Sequence, residues 1–267
     1  MSEPKPDLSV VIPAYNEELR LGSTLDAVGR YLRASAIRWE LVVVDDGSTD
    51  GTAGLVRAAG RADRRIHLVR SSANRGKGHA VRTGVRASRG RQVLFSDADL
   101  ATPIEELGRL RAVLGAGTDA AIGSRAHRAS SIQVEQAAVR RLLGQAGNRL
   151  IRVLATPGIA DTQCGFKLFD GAKARHAFGL ATIDGWGFDV EILYLFARFG
   201  WTVEEVPVRW AHQPGSKLRP GAYPRVVREL LQLRREHGHR GSARAMTLAP
   251  PSTPLPAGSA VQMRRGR

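Results

Sequence analysis

Residues 40–52 read ELVVVDDGSTDGT, an apolar run that ends in a polar turn containing glycine. Similar apolar runs occupy residues 8–13, 65–70 and 91–96. Stretches with the apolar spacing of amphipathic helices alternate with these runs, at 17–33, 51–61, 78–88 and 104–115. Strands that are apolar on both faces and separated by helices indicate an α/β fold. They predict a mainly parallel sheet that is covered by helices on both sides.

The composition is that of a globular protein able to bury a core, with 267 residues of which 43% are hydrophobic. Its single cysteine, Cys164, cannot form an internal disulfide or supply a cysteine-rich zinc site, which favours a reducing compartment. No apolar run reaches the roughly 18 residues of a membrane span, and the first residues lack the apolar core of a signal peptide. We therefore expect a soluble, cytoplasmic protein.

The apolar pattern changes after residue 123 and divides the chain. Further on, the sequence predicts helices at 134–154, 188–199 and 223–236, and strands near 165–169 and at 202–208. We interpret residues 1–125 as one half of a domain and residues 126–238 as a second half packed against it. The tail at 239–267, in which Pro, Gly, Ser and Ala replace periodic apolar residues, is predicted to be disordered.

The protein is strongly basic, with 40 Lys and Arg against 25 Asp and Glu and a formal net charge of +15. Such a charge suits an anionic partner, which can be a nucleic acid, a lipid surface or a phosphorylated substrate, but it also suits a solvated basic surface. A nucleic-acid-binding protein would be expected to carry a recognition helix, a zinc finger or a stacking motif. The sequence has none of these motifs and only 6% aromatic residues, so we expect no nucleic-acid partner.

Polar clusters follow the first four predicted strands. They are PAYNEE at 13–18, DDGSTDGT at 45–52, NRGKG at 74–78 and DADLATP at 97–103. Taken alone, DDGS is also a good turn followed by a helix cap. In open parallel sheets, however, ligands bind beyond the carboxyl ends of the strands. Four such clusters at one edge of a sheet predict a binding site there.

Two of the acids in the fourth cluster, Asp97 and Asp99, stand two residues apart just after a strand predicted to be buried. Carboxylates this close repel each other unless a cation or ordered donors hold them. Mg²⁺ and Mn²⁺ prefer oxygen ligands and usually share their coordination with substrate phosphates. The pair therefore predicts a divalent metal with a nucleoside diphosphate. The alternative is that Asp99 only caps the helix that begins near Pro103.

Eight motifs occur in order over about residues 8–220: VVIPAYNEE, VVVDDGSTDGT, NRGKGHAVRTG, FSDADL, AIGSR, DTQCGFKLF, GWGFDVEIL and PGSKLR. In these motifs the chain resembles glycosyltransferase family 2, and within it the polyprenyl-phosphate glycosyltransferases, most of all the dolichyl-phosphate β-glucosyltransferases. The resemblance implies a GT-A fold, an inverting mechanism and a nucleotide-sugar donor. It makes residues 1–125 the donor-binding half and residues 126–238 the acceptor-binding half.

The resemblance also implies roles for particular residues. Those that would bind the nucleotide sugar are Pro13, Ala14, Tyr15, Glu17, Asp45, Asp46, Lys77 and Asp97. A carboxylate of the Asp45 and Asp46 pair would accept hydrogen bonds from the base or the ribose. Lys77 would reach the donor phosphates, although its place also suits an exposed cation at a helix start. Asp97 and Asp99 would hold Mg²⁺ or Mn²⁺, without the glutamine that related mannosyl-transferring enzymes have at the position of Ala101.

On the acceptor side, Arg125, Lys167 and Lys217 would gather the phosphates, and Gln163 and Trp186 would contact the sugar or the acceptor. For the three cations among them, the alternative is an ordinary surface position. The catalytic residues would be Asp99, Arg125 and Asp189. A phosphate monoester, with its second pKa near about 6, is mostly a dianion at neutral pH and needs no strong base. Asp189, with Asp184 behind it, would then be a base or a positioning acid, or merely an acid at a helix N-terminus.

A lipid-phosphate acceptor requires access to a bilayer surface. The segments at 134–154 and 223–236 are basic and amphipathic, which predicts peripheral attachment to the cytoplasmic face of the membrane. Helices packed on a core show the same pattern. The donor stays open between UDP-glucose, which the resemblance favours, GDP-mannose and a UDP-N-acetylhexosamine. An acceptor that is a glycan also stays open.

Overall fold

The structure is a computed structural model, and it describes residues 4–126, 132–134 and 158–211 together with the helical residues Arg228, Glu229, Leu233 and Glu236. Its first elements are β1 (Leu8–Ala14), α1 (Glu18–Ala34), β2 (Trp39–Asp45), α2 (Thr52–Ala62), β3 (Ile66–Arg70), α3 (Lys77–Ala87) and β4 (Gln92–Ser96). After a 3₁₀ turn (Ile104–Glu106) come α4 (Leu107–Gly115), β5 (Ala120–Ser124), β6 (Ile132–Val134), β7 (Phe166–Asp170), α5 (Gly171–Leu180), α6 (Phe188–Arg198), β8 (Val203–Pro207) and β9 (Trp210–Ala211).

In the part of the chain that the structure describes, seven strands form one sheet in the order β3-β2-β1-β4-β7-β5-β8. Of these seven described strands, β7 alone is antiparallel to the rest, because it pairs antiparallel with both β4 and β5 whereas the other pairs are parallel. Among the described residues, β6 and β9 form a separate parallel pair. The prediction of a mainly parallel sheet is confirmed.

Helices cover both faces of this sheet. All residues of β1 and β2 are buried, which explains why their sequences are almost continuous apolar runs. Alternate residues face opposite sides, so Val10 and Ile12 pack with α1 and α4, whereas Val11 packs with α3, α5 and α6. The two apolar layers hold the carboxyl ends of the central strands at one edge, where the predicted polar clusters lie.

The first four strands and first four helices follow the prediction closely. In the second half, α6 and β8 confirm the predicted helix at 188–199 and strand at 202–208, and β7 confirms the strand near 165–169. β5 and α5 were missed, since the small residues of β5 show no strand alternation. Val134, the first residue of the predicted helix at 134–154, ends β6 instead.

Other predictions fall partly or wholly outside the described residues. The remainder of the helix at 134–154 and the tail at 239–267 lie there. Within 223–236, the four described residues are helical, as predicted. The seven-stranded sheet takes β5 from residues 1–125 and takes β7 and β8 from residues 126–238, and the division into two halves stays a prediction. Across the residues that the structure describes, no helix has the length and apolar character needed to span a bilayer.

Candidate active site

A cavity of about 620 Å³ lies at the carboxyl ends of β1, β2 and β4. It is lined by Pro13, Ala14, Tyr15, Asn16, Glu17, Arg20, Asp46, Asn74, Gly76, Lys77, Ala80, Asp97, Ala98, Asp99 and Trp186. All four polar clusters contribute to this lining. Of the predicted site residues, the cavity brings together Pro13, Ala14, Tyr15, Glu17, Asp46, Lys77, Asp97, Asp99 and Trp186.

Six lining residues were missed at the sequence level. Asn74 and Gly76 belong to the NRGKG cluster, Asn16 to PAYNEE and Ala98 to DADLATP, so their motifs pointed to them. Arg20 and Ala80 lie in the first turns of α1 and α3. There the amphipathic pattern of the helix does not distinguish a residue that faces a cavity from the other residues of the helix. The guanidinium of Arg20 is held there by Glu17, with Nε 2.8 Å from Oε2.

Hydrogen bonds between backbone amides and side chains connect the first two clusters. The amide of Asn16, a residue with a positive φ of 49°, donates to Oγ of Ser48 at 2.9 Å. In return, Oδ1 of Asn16 accepts from the amide of Thr49 at 2.9 Å, and the amide of Glu17 donates to the Thr52 hydroxyl at 2.8 Å. The loops after β1 and β2 are therefore held as one wall of the cavity.

The two adjacent acids after β2 differ in what their oxygens contact. Asp45 is fully buried outside the cavity lining, and its carboxylate accepts from the amide of Ser48 and from Nε of Arg70, at 2.9 and 3.0 Å. Asp46 lines the cavity, and its Oδ2 accepts from the amides of Arg75 and Gly76 at 3.0 and 2.8 Å. Its Oδ1 is buried 3.6 Å from Nδ1 of His79, and neither atom has a hydrogen-bond partner among the described residues. A buried acceptor in this state calls for a donor.

Lys77 begins α3 and faces the cavity between two glycines. Its Nζ lies 2.7 Å from Oδ1 of Asp97 and 5.0 Å from the ring of Trp186. Burial alone would lower the pKa of Lys77, but the charges of Asp97 and Asp189 and the hydrogen bond to Asp97 raise it above its ordinary value. The side chain is therefore a fixed cation at neutral pH, and only 16% of it is exposed.

Asp97 and Asp99 present the carboxylates predicted to hold a metal. Burial raises the pKa of Asp99 above its ordinary value, and the neighbouring charge of Asp97 raises it further. An acid whose negative charge is disfavoured in this way gains from a nearby cation. Among the described residues no group of three His, Cys, Asp or Glu is placed to hold a metal. The two carboxylates fit Mg²⁺ or Mn²⁺ when diphosphate and water supply the remaining ligands.

The space around the Asp97 carboxylate is also restricted by Gly165. Its amide donates to the carbonyl of Gly165 at 2.9 Å, and a Cβ atom built on Gly165 would overlap the Asp97 carboxylate. The loop before β7 therefore approaches Asp97 closely, at a position where only glycine leaves the carboxylate in place.

Asp189 and Lys167 form an ion pair that is nearly fully buried and outside the cavity lining. Nζ of Lys167 contacts Oδ1 of Asp189 and donates to the carbonyl of Cys164 at 2.6 Å. Burial raises the pKa of Asp189, whereas the charges of Lys167 and Lys77 oppose that rise. Asp184, predicted to stand behind Asp189, instead pairs with Arg82 and with Arg75.

The remaining predicted acceptor residues lie apart from this cavity lining or outside the described residues. Arg125 makes a two-pronged ion pair with Asp161, at 2.7 and 2.8 Å, beneath the ring of Trp210. Its charge and hydrogen bonds lower the pKa of Asp161 despite the burial of that acid. Nε2 of Gln163 is buried and has no hydrogen-bond partner in the part of the chain that the structure describes. Lys217 lies outside the described residues.

Comparison with known proteins places this candidate site in a known family. The family model "Glycosyl transferase family 2" matches residues 9–172. This chain belongs to glycosyltransferase family 2. The transferase is 39% identical over 225 residues to a dolichyl-phosphate beta-glucosyltransferase of Dictyostelium discoideum, a match that spans 80% of this chain and 69% of the relative. It is 37% identical over 230 residues to the human protein of the same name, spanning 81% and 71%.

Solved structures show the same fold at lower identity. Glucosyl-3-phosphoglycerate synthase from Mycobacterium tuberculosis, in complex with Mn²⁺, UDP-glucose and phosphoglyceric acid, has a TM-score of 0.66 and 24% identity over 85% of this chain and 79% of that one. A mannosyltransferase from Pyrobaculum calidifontis, in complex with GDP-Man and Mn²⁺, has a TM-score of 0.58 and 23% identity, covering 91% and 67%. The predictions of the GT-A fold and of a family 2 glycosyltransferase are confirmed.

Proposed function

We propose that this glycosyltransferase moves glucose from UDP-glucose to a polyprenyl phosphate of the dolichyl type, with inversion at the anomeric carbon. The observation that carries the proposal is one cavity whose lining includes Asp46, Lys77, Asp97 and Asp99, with Nζ of Lys77 2.7 Å from Oδ1 of Asp97. Such a cavity suits a diphosphate at one end and a nucleobase or ribose at the other. Relatives at 37–39% identity that carry the name dolichyl-phosphate beta-glucosyltransferase support the choice of sugar and acceptor.

The nucleobase is proposed to meet Asp46. Asp46 lines the cavity, and among the described residues its Oδ1 has no hydrogen-bond partner, with Nδ1 of His79 at 3.6 Å. An ionised carboxylate accepts hydrogen bonds but never donates them. The ring N–H of uracil is a donor of the kind that the Asp46 carboxylate can accept from. Guanine also has N–H donors, so GDP-mannose is the competing donor, and a UDP-N-acetylhexosamine shares the base but not the sugar. Thermal shifts with the three donors separate them, because a ligand that binds only the folded form raises the melting temperature.

Asp97 and Asp99 are proposed to hold Mg²⁺ or Mn²⁺ together with the donor diphosphate. When bound, such an ion neutralises charge that develops on a departing diphosphate. Lys77 supplies a fixed positive charge in the same cavity, paired with Asp97. The residues of the chain thus hold the donor by its phosphates, and the leaving group meets cationic surroundings without any proton transfer.

Attack on the anomeric carbon needs alignment more than deprotonation. The acceptor phosphate is mostly a dianion at neutral pH, since its second pKa is about 6. Asp189 is buried in an ion pair with Lys167, and its charge contributes to the raised pKa of Lys77. We therefore propose that Asp189 positions Lys77 rather than removing a proton, and that Lys167 acts through Asp189. Arg125, with 29% of its side chain exposed, is the proposed contact of the acceptor phosphate.

The proposed acceptor is a lipid, so the site must work at a bilayer surface. We propose salt-sensitive peripheral attachment to the cytoplasmic face through the basic amphipathic sequences at 134–154 and 223–236. Flotation with vesicles that contain anionic lipid is expected to recover the protein at low salt and to lose it at high salt. Equal behaviour at both salt concentrations would count against this attachment.

The experiment that tests the function is transfer of labelled glucose. Purified protein is incubated with labelled UDP-glucose, Mn²⁺ and vesicles containing dolichyl phosphate, and the product is extracted into organic solvent. We expect labelled lipid whose anomeric coupling shows a β linkage. Label that enters only a water-soluble glycan would instead identify a family 2 transferase with a glycan acceptor. An α linkage would rule out direct displacement with inversion.

A further inference from the structure

Residues 182–187, here called the Trp186 loop, connect α5 to α6 and carry Trp186 to the cavity. The beginning of this loop is held by Glu191 of α6. The carboxylate of Glu191 accepts from the amides of Thr182 and Ile183, each at 2.9 Å. Glu191 is fully buried, so these bonds are shielded from water.

The other end of the loop is held from outside by a helical segment near the C-terminus. Oε2 of Glu229 accepts from the amide of Gly187 at 2.9 Å, and Glu229 is only 8% exposed. A Cβ atom built on Gly185 would overlap Oε1 of the same carboxylate. One helical turn further, Leu233 is fully buried in the core that includes α3 and α6, and this anchors the segment. Glu229 therefore touches the loop backbone at a fixed place.

On its opposite side, the Trp186 loop packs against the turn that presents Lys77. The amide of His79 donates to the carbonyl of Asp184 at 3.2 Å. Cβ atoms built on Gly76 and Gly78, the two neighbours of Lys77, would overlap the carbonyls of Asp184 and Ile183. The loop backbone thus lies between the Glu229 carboxylate and the Lys77 turn and makes close contacts with both.

We infer that Glu229 is a positioning residue for Lys77 in the donor site. The carboxylate fixes the Gly187 end of the Trp186 loop, and that loop fixes the turn from which Lys77 reaches Asp97. Loss of this contact lets the loop move away and takes Lys77 from its place in the cavity. The inference rests on the proposed function in one respect, because it takes Lys77 to bind the donor diphosphate.

The test compares the binding of UDP with the binding of uridine, which lacks the phosphates that Lys77 would contact. In Glu229→Ala, the Kd for UDP is expected to rise about tenfold, the size of one charge-assisted hydrogen bond, while the Kd for uridine stays unchanged. In a Lys77→Met background, Glu229→Ala is expected to change the Kd for UDP by less than about twofold, because coupled residues are not additive.

Further variants separate positioning from folding. Glu229→Gln retains an oxygen that accepts from the Gly187 amide and is expected to restore most of the UDP affinity. Glu229→Asp retains the charge but is one methylene shorter, and it is expected to behave like Glu229→Ala. Glu236→Gln, which alters the contact of the same helical segment with the Thr182 hydroxyl, is the matched control and is expected to bind UDP as the unaltered protein does.

Three results would overturn the inference. They are unchanged UDP binding in both Glu229→Ala and Glu229→Asp, an equal loss of uridine and UDP binding, and a full additional loss in the Lys77→Met background. Failure of the unaltered protein to bind UDP would instead reject the proposed function.

Discussion

Nζ of Lys77 lies 2.7 Å from Oδ1 of Asp97 on the wall of the candidate active site. The ammonium neutralises the very carboxylate that is proposed to hold a divalent cation. It must therefore share Asp97 with the metal or move to the donor phosphates when both ligands bind. The aromatic rings of Phe95 and Trp186, at 5.3 and 5.0 Å from Nζ, help to stabilise the protonated lysine in its position beside Asp97.

Lys77→Met is expected to change the affinities for UDP-glucose and for Mn²⁺ in opposite directions. Removing the ammonium should weaken UDP-glucose binding by about tenfold to a hundredfold, because a charge-assisted contact to phosphate is lost. The same variant should bind Mn²⁺ more tightly in the absence of nucleotide, since Asp97 loses its competing cation. Calorimetry with each ligand alone measures both effects. Weaker Mn²⁺ binding in the variant would contradict the competition.

Lys167→Met is expected to change the pH dependence of UDP-glucose binding. Burial raises the pKa of Asp189, and the charge of Lys167 is the main influence that opposes this rise. Without that ammonium, the carboxyl group loses its proton only at higher pH, so the acidic limb of UDP-glucose binding should move to higher pH. UDP-glucose has no group that titrates near neutral pH, which leaves the shift to the protein.

The control for this shift is Lys173→Met. Lys173 forms an ion pair with Asp119 before β5, remote from the cavity lining. Its removal is expected to leave the pH dependence of UDP-glucose binding where it was. An acidic limb that stays in place or moves downward in Lys167→Met would show that Asp189 has no part in holding the donor.

Asp46→Asn tests the proposed reading of the nucleobase. The amide oxygen of asparagine can still accept from the backbone amides of Arg75 and Gly76, but its NH₂ group faces the base N–H with a second donor. UDP affinity should fall by about tenfold to a hundredfold. Asp26→Asn, at an exposed position of α1, is the control. Unaltered UDP affinity in Asp46→Asn would place the base elsewhere.

Gly165→Ala tests the close approach beneath Asp97. The added methyl group overlaps the Asp97 carboxylate and must turn it, so Mn²⁺-dependent binding of UDP-glucose should weaken by about tenfold or more. Gly22→Ala, with open space around its Cβ position in α1, should leave binding unchanged and stabilise the fold by about 1 kcal/mol. Equal UDP-glucose binding in the two variants would mean that the Asp97 orientation is unimportant.

The sequence predicted the first half of the fold well because its strands are buried on both faces. Runs such as those of β1 and β2 are nearly all apolar and stand between clear amphipathic helices. β5 was missed because AAIGS is short and made of small residues. The direction of β7 was not predictable either, since antiparallel insertion between β4 and β5 depends on how the chain returns to the sheet rather than on local pattern.

The site was predictable where each strand end contributes its own motif. The sequence indicated that either Asp45 or Asp46 contacts the nucleobase but did not distinguish between them. Only the fold shows that the carboxylate of Asp45 accepts hydrogen bonds from Ser48 and Arg70. The sequence also could not show that Lys167 pairs with Asp189, because this ion pair connects two separate elements, β7 and α6. Glu229 lies in a segment that looked merely basic and amphipathic, and its contact with Gly187 has no local signature.

The most direct test of the account is the double variant Asp97→Asn and Asp99→Asn. Calorimetric titration with UDP-glucose, in the presence of Mn²⁺ and again in the presence of a chelator, compares it with the unaltered protein. We expect Mn²⁺ to strengthen UDP-glucose binding in the unaltered protein and to have no effect on it in the variant. The variant should still show the melting transition of the folded protein. Equal strengthening by Mn²⁺ in both proteins would contradict the claim that these two carboxylates hold the metal on the donor diphosphate.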